Sequence, residues 1–371
     1  EKITYFDSFS GIGGFALAIQ DVIPNAECVG FSEVDKYAKS VYLKHFPTHK
    51  DYGDITQIDI EALPDFDLLV GGSPCQDLSI AKKDRQGLEG SRSGLFYKFV
   101  EILKTKKPKY FILENVASMG KENKDKISEI LGVQPVMINA SLVSAQNRKR
   151  LFWANFPITQ PKDRGILLKD ILEENVDEKY NLSSKILKTF SMPSGKNGSF
   201  LPMKTRDENG KAVTLTARYF KMGRGDNYIK RIGHLNKGGQ GDRIYSTQGK
   251  SVNLSANGGG RGAKTGLYAV ASRTYPRHKQ EGIKRKKQIE IRKDKKSNAL
   301  TSVNGDSMVM KNTIIRKLTP TECARLQCFD DNWCEGISNT QQYKCYGNAV
   351  NVEVVKHIIQ NLYDNESKIP N

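Results

Sequence analysis

The chain has 371 residues, 38% of them hydrophobic and 27% charged, with a formal net charge of +17. That length and composition suffice to bury a core and to divide into two lobes, which excludes a disordered tail or a small disulfide-stapled module. No apolar run approaches the roughly 20 residues needed to cross a bilayer, and the opening EKITYFDSFS lacks the layout of a signal peptide, so a cytoplasmic protein with no membrane role is expected.

The first 155 residues alternate short apolar runs with helical patterns. Strands are predicted over 3–9, 27–31, 66–72, 109–113, 135–140 and 150–155, with helices between them over 15–21, 36–46 and 95–106. Such alternation makes an α/β fold, a mostly parallel sheet with helices on both faces. Ligands bind such sheets in the loops after the carboxyl ends of the strands. DSFSGIGGFA (7–16) follows the first strand, and Gly11, Gly13 and Ala16 fit a G-x-G-x-x-[GA] turn. Glu33 lies 20 residues past Gly13, at the end of the second strand and suited to a ribose diol. Alone, this turn fits a nicotinamide enzyme as well as an S-adenosylmethionine enzyme. Asp54, in GDIT, is a second acidic residue where an adenine amino group could be met.

VGGSPCQDLS (70–79) sets Ser73, Pro74 and Cys75 at the carboxyl end of the third strand, beside that pocket. The thiolate is the nucleophilic form of cysteine, and cationic neighbours favour it. Arg148 and Arg150, in SAQNRKRLFWAN (144–155), alternate along a strand entry and supply such cations, unless they are surface charges. Glu114, in FILENVASM (111–119), follows the fourth strand. It is either an acid sharing the edge with Cys75 or, with Asn115, a helix N-cap. None of the six cysteines forms a C-x-x-C pair, and no metal site is expected.

From about 190 to 310 the texture changes to Gly, Asn, Ser, Lys and Arg. Residues 1–160 hold 20 Lys+Arg against 20 Asp+Glu, whereas residues 201–300 hold 24 against 7, the whole excess of charge. So basic a block beside a neutral lobe is the footprint of a polyanion partner, most often nucleic acid. KAVTLTA at 211, KSVNLSA at 250 and KSNALTS at 296 are either related strand-loop units or three strands of similar composition. Residues 273–298 read as a mobile basic insertion. Near the end, Thr319 should cap a helix with Pro320 in its first turn and Glu322 at the third position. Apolar spacing over 352–363 predicts a last helix that packs back on the first lobe. The expected division is 1–165 for catalysis and cofactor, 166–340 for target recognition with an insertion near 271–312, and 341–371 returning to the first lobe.

Together these pieces resemble the DNA (cytosine-5) methyltransferase family of bacterial and phage type. DSFSGIGG, SEVD, GGSPCQDLS, ENV, QNRKR, RKLTPTECARLQ and YGNAVNVEVV stand in the family's order, leaving only 180–230 and 271–312 unmatched. The resemblance implies the Rossmann-like class I S-adenosylmethionine-dependent methyltransferase fold with a smaller, mostly β and loop recognition domain. It implies that Cys75 adds to cytosine C6 while Glu114 protonates N3, with Arg148 at the O2 side and Arg150 supporting the loop. S-adenosylmethionine is expected along Phe9, Ser10, Gly11, Ile12 and Gly13, with Glu33 on the ribose, Val34 where many relatives place an aromatic, and Asp54 and Ile55 at the adenine. Pro74, Asn348 and Val350 would complete the cofactor site. The partner implied is double-stranded DNA with a flipped-out cytosine. Residues 79–94, with Ser79, Arg85 and Arg92, would close over it, and LNKGGQGDRIYS and SANGGGRGAKTGLY resemble loops of members that target GC-centred tetranucleotides. There Gln240 would fill the hole left by the base, Arg243 would read a guanine edge, and Asn253 stands where a threonine is common. A tRNA cytosine methyltransferase shares the catalytic motifs and is the alternative. A monomer is expected, and any cognate restriction endonuclease would act separately.

Overall fold

The computed structural model describes residues 2–73, 95–181, 205–206, 210–217, 219, 228–232, 269–275, 286–291, 308–309 and 313–366. Its central sheet is built from β1 (Thr4–Asp7), β2 (Glu27–Phe31), β3 (Leu68–Gly72), β4 (Tyr110–Val116), β5 (Val136–Asn139) and β6 (Lys149–Ala154). The order is β2-β1-β3-β4-β6-β5, with β6 antiparallel to both its neighbours and the other pairs parallel. The chain runs from β1 outward to β2, and a parallel bridge from Phe31 to Asp51 extends that side. It then returns to place β3 on the opposite side of β1. The order reverses between β1 and β3, and such a switch point opens a crevice at the carboxyl ends of the two strands.

Helices α1 (Gly14–Val22), α2 (Lys36–His45), α3 (Leu95–Lys106) and α4 (Lys121–Leu131) follow their strands as the alternation requires. One face of the sheet buries Phe6, Leu69, Leu113 and Trp153 with Phe96 and Phe99 of α3. Trp153 keeps its indole N–H satisfied by donating to Ser128 Oγ at 3.0 Å. Glycine-rich turn and α2 meet closely: a Cβ on Gly13 would lie 2.6 Å from Phe46 Cε2, and Gly13 holds φ +90°. No β-branched or bulky residue can take that place without strain.

Chain segments group into two units, one of Glu1–Glu174, Phe190–Asn227 and Leu318–Asn371, the other of Asn175–Thr189 and Tyr228–Lys317. The first includes a short β7 (Thr205–Arg206) and three C-terminal helices, α5 (Pro320–Gln327), α6 (Asn339–Asn348) and α7 (Val352–Glu366). The capping box expected at Thr319 forms with Glu322, and Pro320 stands at the first helical position. α7 packs on α1 through an apolar stripe that includes Val355, Ile358 and Leu362. Residues 166–174, 190–227 and 318–340, all placed with the recognition lobe from sequence, group here with the first unit. For 318–340 the contacts explain it: Ser144 Oγ donates to Leu326 O at 2.6 Å, and Gln327 Nε2 donates to Tyr346 O at 2.7 Å.

In the second unit β8 (Tyr228–Ile232) pairs antiparallel with β12 (Thr313–Lys317), and β9 (Ala269–Tyr275) pairs antiparallel with β10 (Lys286–Ile291) and β11 (Met308–Val309). The 273–298 segment is therefore not wholly a mobile insertion. Its first residues and 286–291 form a ladder with Tyr275 opposite Lys286 and Val270 opposite Ile291. Alternating Ile289 and Ile291 between charged neighbours is strand patterning that the density of lysines obscured. Of the three similar segments, only that at 211 lies within the described residues, where it forms a single bridge from Ala212 to Gln146.

Candidate active site

Both loops at the switch point are shaped by backbone need. After β1 the chain turns through Ser10 to Gly13, with φ +56° at Gly11 and +90° at Gly13. Gly11 N–H donates to Glu33 Oε2 at 2.9 Å, and Glu33 Oε1 accepts the N–H groups of Val34 and Asp35 at 2.8 and 2.7 Å. Burial pushes the Glu33 carboxyl above its ordinary range, while these three N–H groups oppose the shift. Thus Glu33 bridges the glycine turn and the end of β2. Ser10 Oγ is buried without a hydrogen-bond partner, and Val34 beside Glu33 leaves 68% of its surface exposed. Asp54 caps a one-turn helix by accepting from Thr56 N–H at 2.9 Å, with Ile55 buried next to it. A nucleoside fits this set: a carboxylate at the mouth, an exposed apolar side chain, a turn of main-chain amides and one unpartnered hydroxyl.

On the C-terminal side, Trp333 Nε1 donates to Ile12 O at 2.9 Å, so a residue far along the chain fixes the glycine turn. Its ring stacks on His45 with centroids 3.5 Å apart. Asp35, the N-cap of α2, pairs with Lys344 of α6. Asn348 is exposed at the end of α6, and Val350 follows it at the crevice. A Cβ on Gly14 would lie 2.6 Å from Val350 Cγ2, and one on Gly72 would lie 3.9 Å from its Cγ1. Trp333, Lys344 and His45 carry no sequence signal linking them to the turn they hold.

Across the crevice, Glu114 lies inside β4 rather than after it. It stands opposite Gly72 on β3 and Phe152 on β6. It caps no helix, since α4 begins at Lys121 with Gly120 as its N-cap. Its carboxylate is 9% exposed at residue level, and Oε1 pairs with Arg150 Nε at 2.7 Å. The space at Gly72 is needed, because a Cβ there would meet Glu114 Oε2 at 3.0 Å. Ser73, the next residue, is held by Asn115 Nδ2, which donates to Ser73 Oγ at 3.0 Å. The carboxyl end of β3 is therefore fastened to β4 just before Pro74.

The two arginines differ in their partners. Arg148 is 2% exposed, and its guanidinium donates to Leu215 O at 2.8 Å, Ala349 O at 2.8 Å and Gly347 O at 3.2 Å. Three carbonyls orient its fork. Arg150, expected to support the loop, is the one that reaches the carboxylate. Both line one cleft with Glu114, Val350 and Asn351. Pro74, Cys75, Ser79, Arg85, Arg92, Gln240, Arg243 and Asn253 lie outside the described residues.

The model of a family described as C-5 cytosine-specific DNA methylase matches residues 3–364. The orphan methyltransferase M.SPRI of Bacillus phage SPR is 30% identical over 97% of this chain and 97% of its own length. The Type II methyltransferase M.HhaI of Haemophilus parahaemolyticus is 30% identical over 97% of this chain and 94% of its own. Among solved structures, the Entamoeba histolytica methyltransferase EhMeth superposes with a TM-score of 0.63 at 18% identity, over 99% of each chain, which shows the shared fold.

Proposed function

Since the chain belongs to the C-5 cytosine-specific DNA methylase family and is a DNA (cytosine-5)-methyltransferase, we propose how its residues divide the reaction. Family members depend on S-adenosylmethionine, which when bound supplies an electrophilic methyl group. The pocket at the β1–β3 switch point fits it, with Glu33 on the ribose, Ser10 to Gly13 beneath, Val34, Asp54 and Ile55 at the adenine, and Pro74, Asn348 and Val350 closing the methionine end.

Cytosine C5 is too weak a nucleophile to take a methyl group unaided. In this reading Glu114 enters the step protonated; the Cys75 thiolate forms a bond to C6 as Glu114 delivers that proton to N3, and the C5–C6 π pair becomes available at C5. After methylation a solvent base takes the C5 proton, its electron pair reforms the C5–C6 double bond, Cys75 leaves as the thiolate, and the N3 proton returns to Glu114. The observation that carries this is the Glu114–Arg150 pair, set opposite Gly72 three residues before Cys75. Arg150 orients Glu114 and is the cation placed for the base O2, the role first given to Arg148. The target lies in duplex DNA and must leave the stack, because C5 and C6 are covered inside the helix. The same reading has the protein act as a monomer in the cytoplasm, with 79–94 and the loops around 240 and 253 meeting the DNA and any restriction endonuclease a separate chain.

The test is bisulfite sequencing of unmethylated genomic DNA after incubation with S-adenosylmethionine and the wild type, Cys75→Ser or Glu114→Gln. Methylation at one short motif with the wild type is expected. It should vanish with Cys75→Ser and fall about 10²- to 10⁴-fold in rate with Glu114→Gln. A parallel tRNA sample modified in place of the DNA would overturn the substrate assignment.

A further inference from the structure

Arg148 joins two parts of the chain that are distant in sequence. Besides its bonds to the carbonyls of Gly347 and Ala349, it holds Leu215 O. The segment 210–217 runs beside residues 145–147, with Ala212 N–H donating to Ala145 O at 2.7 Å and Asn147 N–H to Ala212 O at 2.8 Å. Thr214 Oγ1 donates to Asn147 O at 2.7 Å, and the Lys211 ammonium donates to the carbonyls of Ser141, Ser144 and Ile166. At the far end, Gly347 touches this segment backbone to backbone: a Cβ there would lie 2.3 Å from Ala217 N and Thr216 C. In sequence, 210–217 leads to β8 and the basic half of the chain.

The same carbonyls lead to the cofactor turn. Ala349 precedes Val350, whose γ-carbons press on the backbone at Gly14, where α1 begins, and face Gly72, where β3 ends. The contacts therefore run without a gap from the glycine turn through Val350 and the 347–349 carbonyls to Arg148, and from Arg148 to 210–217. We propose that Arg148 is a positioning residue that couples occupancy of the cofactor pocket to the segment 210–217. Close-packed interiors transmit small displacements. A planar guanidinium that spans carbonyls from both sides holds them in one geometry, as an ammonium cannot. The proposal rests on the reading of the glycine turn as the cofactor pocket.

Packing alone does not establish coupling, which must be measured as the effect of one site on the other. Hydrogen exchange of the full chain, followed with and without S-adenosylhomocysteine, reads it without turnover. In the wild type the ligand should slow exchange in peptides covering 9–16 and 210–217, the latter by about fivefold. In Arg148→Lys the turn should still be slowed while the effect at 210–217 disappears. If Arg148→Lys does not fold, Gly347→Ala serves instead, because its Cβ forces 216–217 away from the 347–349 carbonyls while leaving the guanidinium itself unchanged. A purely structural role would speed exchange at 210–217 equally with and without ligand, so an unchanged ratio overturns the proposal. Protection of the turn alone in the wild type overturns the coupling and leaves the pocket assignment standing. Protection of neither peptide removes both.

Discussion

Arg148 and Arg150 lie two residues apart in a motif that reads as one cationic patch, yet they do different work. Nothing near them in sequence separates the two, because the carbonyls that claim Arg148 come from residues 215, 347 and 349. Replacing Arg148 by Ala should lower thermal stability, since each buried carbonyl left unpaired costs about 1–3 kcal/mol. Arg150→Ala should also lower the melting temperature, because it leaves the Glu114 carboxylate buried without its cation, and should in addition lower kcat; thermal melts beside single-turnover methylation rates taken below the melting transition distinguish the two. Asp7 offers a test in pH. It is fully buried at the end of β1, neither carboxyl oxygen has a hydrogen-bond partner, and burial followed by the charge of Glu33 raises its pKa well above the carboxylate range. Tyr5, Cys28 and Tyr42 also face it, and burial followed by the Asp7 charge pushes the Cys28 thiol up to about 12. The folded state thus keeps a proton that the unfolded chain releases near pH 4. Stability from this site is whole below that pH and declines as pH rises, by about 1.4 kcal/mol per unit until the folded carboxyl titrates. The urea midpoint of the wild type should therefore fall, as pH rises above about 4, more steeply than that of Asp7→Asn.

At the scale of elements, the alternation of apolar runs located β1 to β6 and α1 to α3 within a few residues, because buried parallel strands and amphipathic helices carry their burial in their own composition. The motifs at strand ends were legible for the same reason. What composition could not show is where a strand continues through a charge. β4 runs on through Glu114 to Val116 because Arg150 neutralises the carboxylate across the β4–β6 pair. Nor could it show that 210–217 docks beside QNRKR, since that depends on single carbonyls and on Gly347 having no side chain. Gly347→Ala tests the docking. Backbone atoms 2.3 Å from the new Cβ cannot give way as a flexible side chain would. Loss of about 1–3 kcal/mol is expected from calorimetry or urea melts, with faster hydrogen exchange confined to 210–217 and α6.

For the molecule as a whole, charge and chemistry are segregated along the chain. The entire excess of +17 falls within residues 201–300, while the residues around the crevice come from the stretches on either side, which together carry no net charge. Affinity for duplex DNA should fall linearly in log–log form with salt, at a slope of about −0.9 per phosphate neutralised. S-adenosylhomocysteine binding, measured over the same salt range by calorimetry, should barely move. The discontinuity of the first unit bears on how the protein is made. α1 leaves the ribosome before the second unit is made, and α7, which covers it, leaves after that unit. At 5–20 residues per second, tens of seconds pass between them. Through that interval the nascent chain lacks Trp333 to hold Ile12 and Val350 to back Gly14. A ribosome stalled before Trp333 should therefore display a polypeptide with most of its motifs translated but its cofactor turn unsupported, so that methylating capacity waits until residues 333–350 have emerged.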